Sequence, residues 1–194
     1  MHGRGPGWRR LRGAGFGLLL VAACTPYSTG SLGPASLPPD AVVGAGDPLR
    51  SAVIASSSAF ISPARLSPAD AARSIAQMEF LAINLPQSPT LRTSPGTLGP
   101  QLNLARQEWR SVLGISPAAP AQSVINGLYG AARALDGGQM DVALAALSRV
   151  PFQRGGPATL ALLSALPPLP RTAEAAATAR QTLQDPGSSS RMRI

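Results

Sequence analysis

From Ala69 onward, apolar or small side chains return at Ala71, Ile75, Met78, Ala82 and Leu85, with Phe80 and Ile83 widening the stripe. The same spacing runs through Leu98, Leu102, Ala105, Trp109, Val112 and Leu113, and again through Val124, Ile125, Leu128, Ala131, Ala132 and Leu135. A 3.6-residue period marks amphipathic helices, and alternating strand-like runs are scarce. Start signals agree with the stripes. Asp47-Pro48 places a capping carboxylate before a proline at the first helical position, and Ser67-Pro68-Ala69-Asp70 repeats the device with an acid three residues on. Thr172 offers a further cap. Gly114 and the pair Gly137-Gly138 stop two of the stripes. The pattern predicts helices near 48–61, 68–85, 99–113, 118–135, 139–149, 157–166 and 171–184. Only the connection 86–98, crowded with Pro86, Pro89, Pro95 and Gly96, is long. The expected fold is all-α, a compact bundle of about five to seven short helices over 48–184, with a core of leucine and alanine.

The N-terminus follows a different pattern. Arg4, Arg9, Arg10 and Arg12 precede a short apolar run, from Gly13 to Ala22, that carries Phe16, Leu18, Leu19, Leu20 and Val21. A basic segment, a short apolar core and small residues at Ala22 and Ala23 define a secretory signal peptide over 1–23. The apolar run is shorter than the roughly 20 residues that a membrane span needs. Val21-Ala22-Ala23-Cys24 resembles the lipobox of bacterial lipoproteins. That resemblance covers the first 24 residues. It implies cleavage between Ala23 and Cys24, a diacylglycerol on the Cys24 thiol, acylation of the new amino group, and membrane lipid as a partner. Stable anchoring takes two or more acyl chains, which such processing supplies. The alternative is ordinary cleavage that leaves Cys24 as a free thiol. Arg9-Arg10 also opens a twin-arginine reading, but Leu11-Arg12-Gly13 lacks the usual apolar continuation. Thr25 stands where an aspartate would signal inner-membrane retention in enterobacterial lipoproteins, so the expectation is the outer membrane, facing the periplasm.

Residues 24–47 are rich in Pro, Gly, Ser and Thr and are expected to form a flexible tether. For its 23 residues past the cysteine, the mean reach is roughly 25–30 Å. Residues 185–194 have similar composition and are expected to be a disordered tail.

Composition changes the picture in two ways. The formal charge of +8 and the 17 basic residues, all of them arginine, suggest an anionic partner. Four of those arginines precede Cys24. The thirteen that remain, against nine acidic residues, leave a net +4. They are spread singly along the chain, only Arg191 and Arg193 coming close to a cluster, and no basic stripe interleaved with aromatics results, so nucleic acid is not expected as a partner. Removal of the single histidine, His2, and lipidation of the single cysteine, Cys24, would leave the mature domain without imidazole, thiol or lysine amine. Ser-His-Asp and Cys-His triads, Schiff-base chemistry, and zinc or haem sites built on histidine or cysteine are then out of reach. No cofactor, metal or catalytic residue is assigned.

Two constellations remain. Gly138-x-Met140-x-x-Ala143-x-x-x-Leu147 resembles the second half of a tetratricopeptide repeat. One such unit does not make a solenoid, because about three are needed to bury a continuous core, and an ordinary helical hairpin is the simpler expectation. Carboxylates are the only acid–base groups available. Asp70, Asp136, Asp141 and Glu174 fall near helix ends, where capping accounts for them. Glu79 lies between Met78 and Phe80, and Glu108 beside Trp109. Burial there would raise a carboxyl pKa toward a general acid, as glycan-cleaving enzymes require, whereas pairing with Arg106 or Arg110 would make it structural. Trp109 is expected to be a core anchor. Three functions follow: a non-enzymatic domain that binds an envelope protein, a carrier of an apolar ligand such as a lipid, and a glutamate-dependent enzyme of cell-wall glycan.

Overall fold

A computed structural model of the protein describes residues 34–41, 46–89 and 96–184. The expected signal peptide, Cys24 with the cleavage site expected before it, and the expected C-terminal tail lie outside the described residues. Within them the chain is an all-α bundle of seven α-helices: α1 Pro48–Ile61, α2 Pro68–Asn84, α3 Leu98–Leu113, α4 Ala121–Asp136, α5 Met140–Leu147, α6 Gly156–Ser164 and α7 Pro170–Gln184. Short 3₁₀ turns occupy Pro39–Ala41, Pro63–Arg65 and Leu85–Gln87.

Helix α2 is the centre. Every residue from Ser74 through Ile83 is buried, because α1, α3, α4 and α6 all lie against it. A helix that is apolar most of the way round has no solvent face to keep, and α2 fits that rule. Helix α7 packs against α1 and α3, while α5 joins α4 to α6. The interior is filled by Trp109, Ile75, Met78, Leu81, Leu102, Leu113, Ile125, Leu128 and Leu147, each fully buried. Burial of one such aliphatic side chain contributes about 1.5–3 kcal/mol. Alanine lines many of the contacts and lets the helices approach closely.

The predicted helix starts hold where their cause is local. Asp47 accepts from the amide of Leu49 at 3.0 Å, and Ser67 Oγ accepts from the amide of Asp70 at 3.1 Å while donating to its carboxylate at 2.7 Å. The predicted start of α4 at 118 is displaced to Ala121. The reason is tertiary: Ser116, Pro117 and Ala119 turn their carbonyls toward the guanidinium of Arg110 instead of entering a helix. Likewise α7 begins at Pro170, so Thr172 falls in its first turn, and the cap comes from Glu108 of α3.

Residues 34–41, assigned by composition to the tether, form a strap packed on the bundle. Ala35 is buried, and Leu37 and Ala41 pack against the core. Gln122 of α4 accepts from the amide of Ser36 at 2.8 Å and donates to its carbonyl at 3.1 Å, as a neighbouring strand would. Asn84 Nδ2 donates to the carbonyl of Ala35 at 2.9 Å, and Arg133 forms an ion pair with Asp40.

Helices α5 and α6 meet at a close approach that only glycine permits. A Cβ on Gly156 would stand 2.3 Å from the carbonyl oxygen of Leu144 and 2.6 Å from Ser148 Oγ. The Gly156 amide donates to that same Oγ at 3.0 Å. Gly156→Ala is therefore expected to destabilise the fold by about 1–3 kcal/mol, the usual range for overpacking. Urea unfolding measures it, and an unchanged midpoint would contradict the close approach.

Candidate functional site

The site is built on one face of α3. Arg106, Trp109 and Arg110 stand at i, i+3 and i+4, so they project together toward α2, where Glu79 sits. Glu79 is fully buried. Its Oε1 accepts from Arg106 Nε at 2.8 Å and Nη2 at 2.7 Å, and also from Arg110 Nη2. Its Oε2 accepts from Trp109 Nε1 at 3.0 Å and Arg110 Nε at 3.2 Å. Burial by itself pushes this carboxyl up. The hydrogen bonds from Arg110 and Arg106, with their charges, outweigh it and hold Glu79 below the ordinary glutamate value. A general acid needs the opposite displacement.

Arg110 is only 4% exposed and is saturated. Beyond its bonds to Glu79, it donates through Nη1 to the carbonyls of Ser116 at 2.9 Å and Pro117 at 3.1 Å, and through Nη2 to that of Ala119 at 3.0 Å. All five of its N–H groups are thus engaged. The residue holds the turn after α3 in place. Gly114 ends α3 in the left-handed region, at φ 64°, and Arg154 lays its aliphatic stem over it: a Cβ there would be 2.4 Å from Arg154 Cγ. The loop that carries Arg154 is tied down by an isolated antiparallel bridge between Ile115 and Phe152, with the Gln153 amide donating to the Gly114 carbonyl at 2.8 Å.

Between α3 and these two loops lies an open cleft of about 770 Å³, walled by Arg106, Arg110 and Arg154 with Asn103, Gln107 and Gln153. Ile115 and Pro117 add apolar surface. No carboxylate, aromatic ring or imidazole is among its lining residues. The cleft carries three guanidinium groups, and Glu79 behind its wall is their only carboxylate partner among the described residues.

The two glutamates singled out in the sequence occupy separate networks. Glu108 accepts from the amides of Arg171 at 3.2 Å and Thr172 at 2.9 Å, and from Thr172 Oγ1 at 2.7 Å. A carboxylate there satisfies the free amides of the α7 N-terminus. Both Arg106 and Arg110 go to Glu79 and neither to Glu108. Asp70 serves the start of α2, and Asp141 lies in the first turn of α5. Asp136, expected as a capping residue, instead forms an ion pair with Arg73 of α2. Trp109 is the buried anchor expected. Among the described residues no cluster of three or more His, Cys, Asp or Glu is placed to hold a metal, and no helix is long and apolar enough to cross a membrane.

Sequence reasoning missed the cleft. The spacing of Asn103, Arg106, Gln107 and Arg110 puts a polar shoulder on α3 and was there to be read. Arg154 was not readable, because only the bridge between Ile115 and Phe152 brings it near. Comparison of the chain with protein families, with curated proteins and with solved structures gives no match.

Proposed function

We propose that the protein is a lipid-anchored bacterial envelope protein whose helical domain binds a partner protein and performs no catalysis of its own. The anchoring half rests on the lipobox-like run that ends in Cys24, behind a basic segment and a short apolar core. The partner half rests on one observation: the domain's arginine-walled cleft offers hydrogen-bonding groups without a carboxylate, thiol or imidazole in its lining. Guanidinium and amide groups suit recognition. They do not suit an apolar ligand, which favours this reading over a lipid carrier. The low carboxyl pKa of Glu79 likewise favours it over a glutamate-dependent glycan enzyme.

Metabolic labelling with a fatty-acid analogue tests the anchor. The wild type is expected to take up label and Cys24→Ala to take up none; equal labelling of both would overturn it. Crosslinking in the host cell, followed by affinity purification, tests the partner. The expected result is a discrete, saturable adduct with an envelope protein, and repeatedly empty purifications would count against binding.

A further inference from the structure

We propose that the cleft at the C-terminal end of α3 is an acidic-peptide site. In it, Arg106 and Arg154 contact carboxylates while Asn103, Gln107 and Gln153 hydrogen-bond the peptide backbone. The inference rests on the partner-binding reading and names the chemistry of what is bound.

The three arginines differ in what they have left to give. Arg110 has no donor to spare. Arg106 spends Nε and Nη2 on Glu79, and its Nη1 has no partner among the described residues. Arg154 makes a single 3.3 Å bond, from Nη2 to the carbonyl of Ser111. Both residues line the cleft, Arg106 from the helix and Arg154 from the loop, and each keeps guanidinium N–H groups without a partner among the described residues. Glu79 neutralises one of the three charges, and no lining residue supplies another negative one. A concave, positively charged surface with a buried ion pair behind it concentrates field on an entering anion.

Size and lining select the kind of anion. A cleft of about 770 Å³ falls within the usual range for ligand sites, and a single oxyanion fills a small part of it. No aromatic side chain lines the cleft to stack a nucleobase or a sugar ring. Three side-chain amides do line it, and each offers both a donor and an acceptor, as an extended peptide backbone does. Carboxylate side chains on such a peptide match the guanidinium fork in the bidentate manner that favours arginine.

The test uses full-length protein in detergent and a fluorescein-labelled hexaglutamate peptide, with inorganic phosphate as competitor. The expected result is saturable binding that weakens steeply with added salt. Arg154→Glu and, separately, Gln107→Glu should each weaken it at least tenfold, and Gln107→Glu should do so without lowering the unfolding midpoint. Both positions are exposed and lie outside the Glu79 cluster; Arg154 also packs on Gly114 and bonds Ser111, whereas the Gln107 side chain makes no hydrogen bond among the described residues, so Gln107→Glu is the variant that leaves the fold unchanged. Absence of binding, equal binding by both variants, or full displacement by millimolar phosphate would each overturn the proposal, the last by making the cleft an oxyanion site. Crosslinking in cells separates the two levels. If Arg154→Glu still captures the partner, the cleft assignment falls and the partner-binding reading stands. If the wild type captures nothing, the partner-binding reading falls first.

Discussion

Glu79→Gln is expected to destabilise the folded domain by about 3–5 kcal/mol, the range for breaking a buried ion pair by removing one partner. The side chain keeps its size, so packing changes little and the effect is electrostatic. Five donor contacts from Arg106, Trp109 and Arg110 converge on the carboxylate. An amide in its place turns an NH₂ toward some of those donors and leaves two guanidinium groups with no countercharge among the described residues. Against a typical domain stability of about 5–15 kcal/mol, the loss leaves little margin.

The pH dependence gives a second signature of the same change. The folded-state pKa of Glu79 lies below its ordinary value of 4.5, so near and below that value the unfolded chain binds more protons. The stabilisation is fully present above 4.5 and is lost as pH falls through the folded pKa. The stability gap between wild type and Glu79→Gln should therefore narrow on acidification below 4.5. Asp40, held low by its hydrogen bond to Arg133, contributes equally to both proteins. Urea melts at a series of pH values measure the gap, and parallel profiles would refute the role assigned to Glu79.

Trp109→Ala is expected to cost about 3–5 kcal/mol, the usual result of truncating a large buried aromatic. Trp109 is fully buried, the largest side chain in the core, and sits where α3 meets α2. The substitution removes both a packing volume and the Nε1 donor to Glu79. Trp109→Phe separates the two. It keeps most of the ring volume and deletes the donor, so its cost should approach the roughly 1.5–3 kcal/mol of a hydrogen bond to a charged group. A Phe variant as damaged as the Ala variant would assign the whole effect to the lost donor and none to the packing volume. A harmless Ala variant would remove Trp109 from the core altogether.

How much of this was legible in the sequence depended on the range of the interaction. The starts of α1 and α2 were readable because Asp47 and Ser67 cap amides two and three residues away. The pairing of Glu79 with arginine was readable as a choice among partners. Which partner it took depended on how α2 lies against α3, and no spacing along the chain encodes that. The late start of α4 and the capping of α7 by Glu108 both come from side chains on another helix. The strap is the clearest failure. Its three prolines and Ser36 have the composition of a linker, and only Gln122, Asn84 and Arg133, far along the chain, give those residues polar partners.

That strap sets a ceiling on where the domain can stand. With residues 34–41 fastened to α2 and α4, the chain available between Cys24 and the bundle shrinks from 23 residues to nine. Whatever its conformation, nine residues span at most about 32 Å, against about 83 Å for 23. On the lipid-anchor proposal, the strap is then the shore to which the domain is moored. The domain then stays within that distance of the bilayer, and a partner must come to the membrane to be met.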